Sequence, residues 1–172
     1  MNHEKLRLIV KKIKSEWSSP RTAFHFGEEC PFLLTSSFSA GATEQKISKI
    51  PTQMRSELKE LWRISEKTEL FKDQLYQQWG IEILTPEECI TETSNQQYTR
   101  AKDVHENDLI FGRFYGDSEL LLITDKGNIL LCMPLDPRKE WPELAKTLSD
   151  FLENLINSQG AKYWEPPKPK NP

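Results

Sequence analysis

The sequence predicts an α+β domain in which an antiparallel meander lies inside a larger sheet flanked by helices. Three observations carry this. Apolar residues near both ends recur at spacings of three and four, the helical period. Residues 109–133 instead hold three short apolar runs parted by Gly/Asp turns. Helical and strand patterns do not alternate as they would in a parallel α/β sheet. With 172 residues, the chain suits one domain with an extension, not two full cores.

Leu6, Ile9, Val10, Ile13 and Trp17 form the stripe of a first helix, which Ser18-Ser19-Pro20 stops. Its Lys5, Arg7, Lys11, Lys12 and Lys14 read as a solvated helix face. In residues 21–50, Phe24, Phe26, Phe32, Leu33, Leu34 and Phe38 suggest short strands with a hairpin through Gly27-Glu28-Glu29. Ile50-Pro51-Thr52 opens a second helix, proline being suited to a first turn, with Met54, Leu58, Leu61 and Trp62 as its buried stripe. Leu70-Phe71 suggests a short strand or a further helical turn, and Trp79–Leu84 alternates as a strand. Thr85-Pro86-Glu87-Glu88 starts a helix with a capping residue, a proline and a capping-box glutamate, running toward Tyr98 or Arg100.

Leu109–Tyr115, Glu119–Thr124 and Asn128–Met133 are the meander strands. The last two are apolar at consecutive positions, as strands covered on both faces are. Trp141, Leu144, Leu148, Phe151, Leu152 and Leu155 predict a closing helix over about residues 142–157, stopped at Gly160. The plan is therefore a helix with a β extension (1–49), a core (50–160) and a Pro/Lys-rich tail (161–172), with Trp164, beside Tyr163, read either as a pin for the tail or as a docking point for a partner.

The formal net charge of −3 argues against a dedicated nucleic-acid binder. No apolar run approaches the roughly 20 residues that cross a bilayer, and the basic start lacks the apolar stretch of a secretion signal, so a cytoplasmic protein is expected. Cys30, Cys89 and Cys132 form no close pair and read as buried thiols. His3, His25 and His105 fall in no metal-binding pattern. Asp117 and Asp125, on successive turns, are roughly 20 Å apart by strand rise and share neither a metal nor a proton. No cofactor or metal is expected. Arg113, among Phe111, Phe114 and Tyr115, must reach an acid, a carbonyl or the rim, and Asp117 of its own hairpin is the nearby candidate. Arg113 and Tyr115 are also residue types favoured at interface centres.

From Ile50 to Leu155 the order of short motifs resembles the SMI1/KNR4-like (SUKH) superfamily. The likeness is carried by Ile50-Pro51, Trp79-Gly80-Ile81, Thr85-Pro86-Glu87-Glu88, Leu109-Ile110-Phe111-Gly112, Tyr115-Gly116-Asp117, Gly127-Asn128-Ile129 and Trp141 with Phe151-Leu152. The resemblance implies a mixed, largely antiparallel sheet flanked by helices. It also implies a non-enzymatic binding role, that of an immunity protein neutralising a cognate bacterial toxin, often a nuclease. A partner-binding surface would then draw on Glu87, Asp103, Glu106, Asp108, Arg113, Tyr115 and Asp117, the acids steering association with a basic cleft. The chain would act as a monomer or homodimer. The alternatives are a regulatory scaffold acting through its proline-bearing tail, and an enzyme built on Asp103, His105 and Glu106.

Overall fold

The computed structural model describes residues 3–51, 55–167 and 169. Helix α1, Glu4–Trp17, buries the whole expected stripe, Leu6, Ile9, Val10, Ile13 and Trp17. Strands β1, Arg21–His25, and β2, Glu28–Phe38, follow as a hairpin. Its turn is Phe26-Gly27, both at positive φ, and not the expected Gly27-Glu28-Glu29. A short helix, α2, Glu44–Ile47, was not visible in the periodicity; it leads to the buried Ile50. The next helix, α3, is Ser56–Ile64 and not a helix opened by Ile50-Pro51. It buries Leu58, Leu61 and Trp62, while Met54 lies outside the described residues.

Leu70-Phe71 falls in strand β3, Thr68–Asp73, and the alternating run shrinks to strand β4, Ile81–Ile83. Helix α4, Pro86–Thr99, starts as its sequence instructs: the Thr85 hydroxyl accepts from the Glu88 N–H at 3.2 Å. Only this half of the capping box forms, because the Glu88 carboxylate turns to Lys67 and Arg113. The meander is β5, Leu109–Phe114, β6, Leu120–Ile123, and β7, Ile129–Cys132.

The closing helix is shorter than expected. A 3-10 turn at Arg138–Glu140 and an edge strand β8, Glu143–Ala145, come first, and helix α5 is Leu148–Asn157. Trp141 and Leu144 are buried from the turn and the strand, not from a helix. The reason is local: Thr147 caps α5, its hydroxyl accepting from the Asp150 N–H at 3.1 Å, and so fixes the start.

Among the described residues eight strands form one sheet in chain order, β1 to β8, and every neighbouring pair is antiparallel. The mixed sheet is thus corrected to a wholly antiparallel one, and the N-terminal hairpin belongs to it. Helices α1, α3 and α5 contact one another. Their layer is tied by ion pairs as well as apolar contact, since Lys5 meets Asp150 at 2.7 Å and Arg7 meets Glu60 at 2.8 Å. Helix α4 packs on β5 with Thr93 receiving the Ile110 N–H. No helix of the described residues is long and apolar enough to cross a membrane.

The β1 edge is blunted. The Phe24 N–H donates outward to the Gln159 side chain at 2.8 Å, and His25 bonds the Gln159 carbonyl at 3.0 Å.

Candidate functional site

Residues paired across an antiparallel sheet share a face. The register therefore sets one row running Ser37, Glu69, Glu82, Arg113, Leu120, Cys132 across β2 to β7. Ile81 and Ile83, on the opposite side of β4, are buried in the core. The row places two carboxylates, Glu69 and Glu82, directly opposite each other, an arrangement that repels unless cations intervene.

Three cations and a phenol supply the compensation. Lys72 meets Glu69 at 2.5 Å and lies 4.4 Å from the Tyr115 ring, and the Tyr115 hydroxyl donates to Glu69. Lys67 pairs with both Glu82 and, at 2.8 Å, Glu88. Arg113 bridges the same two acids at 3.4 Å each. The result is a continuous network from β3 to the first turn of α4. Each charged side chain in it is held by at least one opposite charge and Tyr115 by its hydrogen bond to Glu69, so the surface is set before any partner arrives.

The ionisation states follow from this. Burial pushes the Glu82 carboxyl up, but Lys67 and Arg113 more than reverse it and hold it below its ordinary value. Glu69 is likewise raised by burial and lowered further by Lys72 and Tyr115. Burial, reinforced by Glu69, drives the Tyr115 phenol far above its ordinary value, so it stays protonated and donates. Carboxylates lowered on folding contribute stability that is complete above their unfolded value, near 4.5, and is lost as pH falls through the folded value. Stability measured by urea midpoint should therefore decline below about pH 4.5, and less steeply in Glu82→Gln. An equal slope in that variant would contradict the assignment.

The sequence-derived candidates separate into groups. Arg113 and Tyr115 belong to the network, although Arg113 pairs with Glu82 and Glu88 and not with Asp117. Glu87 is exposed on α4 and, with Glu88, Thr91, Glu92 and Arg113, lines a groove of about 280 Å³. Asp117 is turned away to Lys162 at 2.8 Å. Asp103 accepts from the Arg138 N–H and from Arg100, and Asp108, 6 % exposed, pairs with Arg138 and caps the His105 N–H. Both acids thus carry internal hydrogen bonds, Asp103 from a half-buried position and Asp108 from the wall of a cleft. Glu106 and Asp108 line that same cleft, of about 610 Å³.

Lys67, Glu69, Lys72 and Glu82 were missed. The signal for Glu82 was present, since an acid between Ile81 and Ile83 in an alternating strand must face away from the core. The positions of Lys67, Glu69 and Lys72 needed the register of β3, which no pattern supplied. All three cysteines are free and buried. Among the described residues no group of three or more His, Cys, Asp or Glu is placed to hold a metal ion. Comparison with family models and with curated proteins gives no match for this chain.

Proposed function

We propose that the chain is a non-enzymatic protein-binding domain that holds and neutralises a protein partner, in the manner of the SMI1/KNR4-like immunity proteins its motifs resemble, with a toxin domain as the partner. The observation that carries this reading is the charge network on the α4-bearing face of the sheet. A surface that works by complementarity gains from side chains already fixed, because less freedom is lost on association. Glu69 and Glu82 are held ionised and the Tyr115 phenol protonated, which suits recognition by fixed charge.

Affinity capture of the intact chain from its native cells, followed by a protection assay against the captured protein, tests the reading. The expected result is one tightly held partner whose toxicity the chain suppresses. Arg113→Ala removes a half-exposed anchor at the centre of the network and should weaken that complex by about tenfold or more without unfolding the domain. Recovery of no partner, or full protection by Arg113→Ala, would count against it. Removing residues 168–172 separates a scaffold acting through its tail, because Ala161, Tyr163 and Trp164 before them are part of the packed body.

A further inference from the structure

A second feature lies at the far end of the sheet. A cavity of about 780 Å³ opens between the β1–β2 hairpin tip and the segment after α5, with Trp79 between them. His25, Phe26 and Glu28 line it from the hairpin, and Lys162, Glu165 and Pro166 line it from the other side. Phe26 is unusual there. It occupies a left-handed position, φ 53°, that asparagine or glycine takes without strain, yet it is 50 % exposed. The chain keeps an aromatic ring at the cavity mouth at a position where packing in the core does not require one.

Two carboxylates, Glu28 and Glu165, line the cavity with a single ammonium, Lys162. That ammonium is already held from outside the lining by Asp117 at 2.8 Å and Glu119 at 3.6 Å. Burial, against a weaker pull from the Gln159 carbonyl, holds His25 below its ordinary value, so the imidazole adds no positive charge near neutral pH. The fold already places cations on aromatic rings at this end, with Lys162 5.6 Å from the Trp79 ring and 5.2 Å from that of Phe114.

We propose that this cavity is a docking site for an arginine side chain displayed by a protein partner, with the guanidinium against Phe26 and its N–H fork toward the carboxylate rim. Arginine fits better than lysine because its planar group stacks on a ring and offers paired donors to carboxylates. The volume leaves room for the backbone that carries the side chain. The site is separate from the charge network of the sheet face and stands whether or not that face binds a toxin.

The test uses the full chain, ¹⁵N-labelled, titrated with N-acetyl-arginine amide and with the uncharged isostere N-acetyl-citrulline amide. The expected result is a saturable shift of the Trp79 indole N–H with the arginine probe in the millimolar range, absent with citrulline. Phe26→Asn keeps a turn residue suited to positive φ, so its thermal midpoint should not fall, while arginine binding should weaken by about fivefold. Equal shifts from both probes, no shift from either, or unchanged affinity in Phe26→Asn would overturn the proposal. So would binding that emerges only after residues 168–172 are removed, which would assign the cavity to the chain's own lysines.

Discussion

Gly160→Ala is expected to cost about 3 kcal/mol of unfolding free energy, the larger part of it from collision. Gly160 follows α5 at φ 80°, donating its N–H to the Leu155 carbonyl at 2.8 Å. A Cβ there would stand 2.3 Å from Phe71 Cβ and 2.5 Å from its Cγ. Phe71 cannot retreat, since it is fully buried and sits edge-on to Trp17 with ring centres 5.1 Å apart. Gly27 provides the control. It has the same φ of 80°, but a Cβ would meet nothing within 4 Å, so Gly27→Ala should cost only about 1 kcal/mol, the backbone share alone. Urea midpoints of the two variants, measured side by side, check the difference. Equal losses would mean that the contact between the end of α5 and β3 is looser than the geometry says.

Asp108→Ala is the second large effect, expected at about 3 kcal/mol. Its carboxylate accepts from the Arg138 guanidinium, at 3.2 Å through Oδ1 and 2.6 Å through Oδ2, and from the His105 N–H at 2.6 Å. Removing it leaves the partly buried guanidinium with the Asp103 carbonyl, at 2.8 Å, but no carboxylate, and orphans the His105 amide. The double variant Asp108→Leu/Arg138→Met should recover part of the loss, because two uncharged side chains leave no unpaired ion behind. A double variant no more stable than Asp108→Ala would show that the hydrogen bond to His105, not the ion pair, dominates. A stable Asp108→Ala that instead lost a partner would restore Asp108 to the binding surface.

Much of this architecture could be read from residue order, and the gaps have definite causes. The stripe of α1, the Thr85 start of α4 and the β5–β7 meander were legible because each is specified locally, by period, cap or turn chemistry. The region between β1 and α3 was obscure because β2 carries irregular registers against both neighbours, between Thr22 and Phe24 and between Thr35 and Ser37. A shifted register breaks the alternation on which a strand reading depends. Trp141 and Leu144 fell into helical spacing by coincidence with Leu148, and tertiary pairing of β8 with β7 decided otherwise. The candidate site was legible by half: Arg113 and Tyr115 stood out as charged or polar groups in an apolar strand. Asp103 and Asp108 look alike in sequence, and only the return of Arg138 from a distant segment shows that both also hold the fold together.

The strand order has a consequence for how this protein is made. Because each strand pairs with the one synthesised just before it, a growing chain can add to its sheet one ribbon at a time as it leaves the ribosome, with little waiting for distant sequence. The exception is α1, whose oily stripe rests partly on α5 and so is not fully sheltered until α5 has been made. The fourteen-residue α1 thus emerges before the sheet yet is completed after it, and the nascent polypeptide carries an unfinished seam along that side until α5 arrives.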